Sequence, residues 1–150
     1  MLAQGQALWE QYERIHNEIF KWSDGLSDDQ LNHKPPANDS NSIGNLMSHI
    51  LGAELSLVVE RVGGQSTGRD RAAEFSNPVT REALLQRRAE VEKQVRDILD
   101  KLTPADFERK VTAPGGGETP VGGLLIYLVS HLSGHMGQVI LTRKFLDAAK

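Results

Sequence analysis

The run Ser130-His131-Leu132-Ser133-Gly134-His135-Met136-Gly137-Gln138 places two of the chain's five histidines four positions apart. From Thr119 to Thr142 there is no Asp, Glu, Lys or Arg, so the pair sits in the least charged stretch of the sequence. In a helix, positions i and i+4 share a face, so both imidazoles can point at one spot. Two rings converging in an apolar setting suit a divalent metal ion. The same stripe carries Leu124, Leu128, Gln138, Thr142 and Phe145, apolar at its ends and polar in its middle. Filling that middle with His and Gln forgoes about 1.5–3 kcal/mol of burial per residue, and the polar groups must find partners.

Two imidazoles alone make a weak site, and His49 is the candidate third ligand. It lies at the border of an apolar stripe set by Leu46, Ala53 and Leu57, from which it can reach across a bundle edge. His16, beside the stripe of the first helix, and His33, in a polar loop next to Lys34, read as solvated histidines.

The chain has no cysteine, which removes disulfides, thiolate ligands and a nucleophilic thiol of its own. Any metal is therefore held by His or carboxylate, and any thiol chemistry needs a thiol from outside. A net charge of −3 gives no electrostatic footprint for nucleic acid. Residues 1–20 are amphipathic and carry Glu10, Glu13 and Glu18 rather than a signal-peptide core, so the cytoplasm is the expected location. The charge-free run has the length of a membrane span, but its His, Gln, Ser and Gly content favours a largely buried soluble helix.

A length of 150 residues and an apolar fraction of 39% are read as one domain, 1–150, with a real core. Four helical segments must position the histidines, and no strand is expected. The first sets Leu8, Tyr12, Ile15, Ile19, Trp22 and Leu26 on one stripe. The second opens at Ser42 as N-cap and runs to Gly63-Gly64. Residues 65–78 are polar and read as a long crossover. The third helix begins near Thr80 with Leu84, Val91, Val95, Ile98 and Leu102 on one face, interrupted by Arg88. After Pro114-Gly115-Gly116-Gly117, Thr119 is expected to cap the fourth helix, with Pro120 at its first position. The pattern predicts an all-α, antiparallel four-helix bundle with a long crossover connection, a fold that holds metal and ligand sites between facing helices.

The segment Ser42-Ile43-Gly44-Asn45-Leu46-Met47-Ser48-His49, followed by Ala53-Glu54 and later by His131-x-x-x-His135-Met136-Gly137-Gln138, resembles the DinB-like superfamily. The resemblance spans nearly the whole chain. It extends to the bacillithiol and mycothiol S-transferases and the mycothiol-dependent maleylpyruvate isomerase. It implies a DinB/YfiT-like bundle in which His49, His131 and His135 bind one divalent metal, with Zn or Ni expected, and it implies homodimers. Relatives often carry further histidines around the C-terminal motif; here Tyr127 stands one turn before His131 and Gly134 precedes His135.

Three neutral imidazoles leave metal positions open for a small-molecule substrate or a thiol. The leading expectation is a thiol-dependent S-transferase or isomerase using a low-molecular-weight thiol, with Gln138 and Tyr127 orienting ligands or substrate. Metal-assisted hydrolysis with Glu54 or Glu60 as base is the alternative, as is a non-catalytic protein that the metal merely stabilises. Ile126, Val129, Met136 and Ile140 lie opposite the histidine stripe. With Gly122, Gly123, Gly134 and Gly137 they suggest a homodimer built on the C-terminal helix, burial by the domain's own loops being the alternative.

Overall fold

A computed structural model describes residues 1–148; residues 149 and 150 of the expected 1–150 domain lie outside the described residues. Four long helices form the bundle. Helix α1 (Ala3–Trp22) is followed by a short α2 (Asp28–Asn32). Helix α3 (Ile43–Glu54) continues without a break into a π-helical segment, Leu55–Val62. After α4 (Arg71–Ser76) come α5 (Arg81–Leu99) and the short α6 (Pro104–Glu108). A hairpin of β1 (Lys110–Thr112) and β2 (Glu118–Pro120) leads into α7 (Val121–Ala148).

The predicted stripes are the core. Tyr12, Ile15 and Ile19 of α1 meet Leu124, Leu125, Leu128 and Leu132 of α7, all buried. Val91, Val95 and Leu99 of α5 close the bundle against α3 and the π-helical segment. Side chains buried to this degree contribute roughly 1.5–3 kcal/mol each.

Ser42 caps α3 as expected, in a reciprocal box with Asn45: each side chain accepts from the other's backbone N–H. Thr80 caps α5 in the predicted place by accepting from the Ala83 N–H.

Three expectations change. The crossover is not structureless, because Asp70 accepts from the Ala73 N–H and starts α4 within it. The segment after α6 forms strands: Val111 pairs with Thr119 across a loop in which Gly115, Gly116 and Gly117 all have positive φ, a turn few other residues could make. Thr119 and Pro120 consequently belong to β2 and do not cap the last helix. That helix begins at Val121, whose N–H is satisfied by the Arg109 carbonyl.

Helix α7 is long and apolar enough to cross a membrane by length and composition. One such helix is weak evidence of a span, and here it supplies the bundle's central buried leucines and carries both His131 and His135.

Candidate metal centre

His49 comes from the middle of α3, and His131 and His135 come from successive turns of α7, which packs against it. One ring nitrogen from each lies within 4.8 Å of the other two. The ring centroids stand 5.4 Å apart for His49–His131, 4.8 Å for His49–His135 and 4.5 Å for His131–His135, with the planes close to perpendicular. Nitrogens bound tetrahedrally to zinc stand about 3.4 Å apart, so small side-chain rotations would bring the set to bonding distance. The donor set therefore fits a divalent ion.

At His131 and His135 the environment favours the neutral imidazole that metal binding requires. Burial, then the neighbouring His135 and His49, then the charges of Arg69 and Arg71 push His131 down to about 4. Burial lowers His135 as well, outweighing the opposing hydrogen bond to Gln138.

Two contacts fix ring orientation. The Nδ1 of His135 is 2.7 Å from Gln138 Oε1, and the Nδ1 of His49 is 2.9 Å from Glu74 Oε2. Both partners are acceptors and favour the tautomer with Nδ1 protonated and the Nε2 lone pair free for the centre; Arg69 Nη2 also stands 3.4 Å from His49 Nδ1, but it donates at the shorter distance of 2.8 Å to Glu74 Oε2. Glu74 is itself held from two sides: Arg69 Nε and Nη2 donate to its two oxygens at 2.6 and 2.8 Å. Burial alone would raise the Glu74 carboxyl, but the hydrogen bonds from Arg69 and His49 outweigh it and hold the group below the usual carboxylate range. Asn45, one turn before His49, donates to the backbone carbonyl of Glu74 and anchors α4 on α3. Phe75 packs its ring 4.8 Å from that of His49.

The polar crossover thus supplies the carboxylate that orients a histidine of the centre. Sequence reasoning assigned residues 65–78 only a connecting role. The available signal was Gly52, an interior helix glycine one turn after His49, placed where another group needs close approach.

The centre borders a cleft of about 340 Å³ lined by His49, His131, Tyr127, Leu57, Arg61 and Arg71, among others. Tyr127 stacks nearly parallel to His131 with centroids 5.9 Å apart, and its ring is partly exposed. In the π-helical segment, hydrogen bonds such as Gly63 N–H to the Val58 carbonyl span five residues. This wider winding accompanies the placement of Ser56, Leu57 and Arg61 along the cleft, an arrangement frequent at functional sites.

The remaining candidates lie elsewhere. His33 is exposed, as expected. His16 is not solvated. It is fully buried, with Nε2 2.9 Å from Glu54 Oε2 and Nδ1 2.9 Å from Glu92 Oε1. Being four residues after Tyr12 and three before Ile19 puts it on the buried stripe, and carboxylates from two other helices compensate its burial. The Glu54 contact is poorly aligned for a hydrogen bond, so its attraction is chiefly coulombic. Burial alone would lower His16, but Glu54 and then Glu92 push it up to about 9. Arg88, which breaks the α5 stripe, donates to Glu92 and to Asn17 and carries this network out to the surface.

Glu54 is therefore engaged on the far side of α3 from His49. Glu60 accepts from Thr67 and does not line the cleft. Neither expected hydrolytic base faces the centre.

Comparison with known proteins identifies the fold and the family. The DinB superfamily model matches residues 11–139. A DinB-like protein from Bacillus cereus has a similar crystal structure, with a TM-score of 0.76 at 17% identity, covering 95% of this chain and 92% of its own. A DinB-like protein from Bacillus subtilis gives 0.70 at 18% identity, covering 94% and 92%. A conserved protein from Enterococcus faecalis gives 0.72 at 15%, covering 96% of both chains. No curated protein matches the chain. At these identities the solved structures establish a common fold, while the family match takes in all three clustered histidines. The chain belongs to the DinB superfamily.

Proposed function

We propose that this protein is a metal-dependent enzyme in which His49, His131 and His135 hold one divalent ion, Zn or Ni, beside a cleft that takes a small-molecule substrate. The observation that carries the reading is the convergence of three imidazoles, two of them oriented by Glu74 and Gln138, at the edge of that cleft. When bound, such an ion supplies positive charge that can polarise a carbonyl or lower the pKa of a thiol.

The residues around it have separable tasks. Glu74 keeps the His49 tautomer that leaves Nε2 free, and Gln138 does the same for His135. Tyr127, stacked on His131 with its ring reaching the cleft, orients substrate. Because the chain has no cysteine, a low-molecular-weight thiol is the proposed cosubstrate, and transfer to sulfur or thiol-assisted isomerisation is the proposed reaction. Hydrolysis is disfavoured because no carboxylate lines the cleft among the described residues, and Glu74 is committed to Arg69 and His49. We place the protein in the cytoplasm, where small thiols are kept reduced.

Elemental analysis of purified protein, followed by assays of thiol consumption with electrophiles, tests the proposal. About one metal per chain and thiol loss that requires metal support it. Metal-replete protein that consumes no thiol across several thiols points to the non-catalytic alternative.

A further inference from the structure

The cleft beside the histidines has a charge pattern opposite to that of the chain. The protein carries a net charge of −3, yet the cleft lining includes Arg61, Arg69 and Arg71 and, among the described residues, no Asp or Glu. The three arginines are not equivalent. Arg69 spends its Nε and Nη2 donors on Glu74. Arg61 donates from Nη1 to the Thr112 carbonyl at 2.8 Å, which ties the hairpin to the π-helical segment; among the described residues its other donors have no hydrogen-bond partner. Arg71 lies with its guanidinium carbon 5.4 Å from the centre of the Phe75 ring, a cation–π contact that does not consume its N–H groups. Neither Arg61 nor Arg71 forms an ion pair among the described residues.

We propose that Arg61 and Arg71 form an oxyanion-binding subsite, so that this cleft takes a ligand bearing a carboxylate or phosphate group. Planar guanidinium groups bind such oxyanions through paired N–H donors. A cleft of about 340 Å³ fits a small molecule rather than a polymer. The neutral wall formed by Leu57, Ala53, Pro114 and Gly115 leaves the positive charge uncompensated within it. The inference rests on reading the three-histidine cleft as the ligand site, but the subsite itself consists of arginines and does not require the ion.

Calorimetric titration of succinate at low ionic strength tests it, with uncharged succinamide as control and with both metal-free and zinc-loaded protein. Inorganic phosphate, offered to the metal-free protein, separates phosphate from carboxylate preference. Metal-free wild type is expected to bind succinate or phosphate but not succinamide, and added salt should weaken the binding. Arg71→Gln and Arg61→Gln should each weaken it about tenfold, while Arg87→Gln, at an exposed position of α5 outside this cleft, should leave it unchanged. Arg71 is exposed, and the native circular dichroism of its variant is the folding check. Succinate binding only to zinc-loaded protein, undiminished in both arginine variants, overturns the subsite while leaving the metal reading intact. Equal binding of succinamide, or no binding to either form, also overturns it. Arginine-dependent binding in a protein that takes up neither zinc nor nickel upholds the subsite and rejects the metal reading instead.

Discussion

Glu74 rests its carboxylate on the bare Cα of Gly52: a Cβ built there would lie 1.9 Å from Glu74 Oε1 and 3.0 Å from Arg69 Nε. Gly52 is three residues after His49 on the same helix, so the missing side chain makes room for the carboxylate that orients the histidine.

Gly52→Ala should consequently behave against helix propensity. An exposed interior glycine replaced by alanine gains about 1 kcal/mol. Here the new methyl displaces Glu74, and zinc affinity should fall roughly tenfold to a hundredfold, the usual effect of losing a carboxylate behind a ligating histidine. Competition with a chromophoric chelator measures it. Unchanged zinc affinity would show that Glu74 does not set the ligand geometry.

Removing one imidazole is a more direct test. His135 is half-buried, so His135→Ala should fold and yet lose most of its metal. Zinc in hundredfold excess over its dissociation constant stabilises a native protein by about 2.7 kcal/mol. Wild type should therefore melt several degrees higher with zinc than with chelator, and the variant should melt alike in both. Full metal occupancy in His135→Ala would remove His135 from the ligand set.

His16 gives a pH dependence unconnected with the metal centre. Its pKa is raised in the folded protein from 6.5 to about 9, so folding holds a proton that the unfolded chain releases earlier. The stabilisation is complete below about pH 6.5 and is lost as pH rises through about 9. NMR of the His16 ring should give a midpoint near 9, and thermal stability should decline over that interval. Glu54→Ala, which leaves the imidazolium without its buried partner, should cost about 3–5 kcal/mol. A His16 midpoint at or below 6.5 would contradict the ion-pair assignment.

The four helices and the three clustered histidines were legible in sequence because both follow helical periodicity. Spacings of three and four put Tyr12, Ile15 and Ile19 on one face, and His131 and His135 on another. What was not legible depends on chain segments far apart in sequence. His16 reads as polar beside an apolar stripe, and only Glu54 and Glu92, from α3 and α5, make its burial tenable. Arg69 and Glu74 reach the centre because α4 docks on α3 through Asn45, a contact that no local pattern encodes. The strands of the hairpin are three residues each, too short for alternation to register.

The expected dimer face is corrected in detail. Of the four residues assigned to it, Ile126 is 66% exposed, but Val129 and Met136 pack against the core and Ile140 is only partly exposed. The exposed strip of α7 instead runs through Ile126, Tyr127, Ser130, Gly134, Gly137, Leu141 and Phe145, with Leu141 at 56% and Phe145 at 61%. A Cβ at Gly134 or Gly137 would meet nothing within 4 Å, so the middle of the strip is open to close approach. An apolar strip of this kind along one helix favours a two-fold pairing with a second copy. The proposed homodimer therefore centres on Gly134 and Gly137, next to the histidine edge of α7. Sedimentation of wild type at micromolar concentration should give twice the chain mass, and Leu141→Lys should shift it to monomer without lowering helicity. Ile140→Lys is the harsher substitution, because that residue is already partly buried. A wild type already monomeric at that concentration, or a Leu141→Lys dimer as tight as wild type, would place the interface elsewhere or remove it.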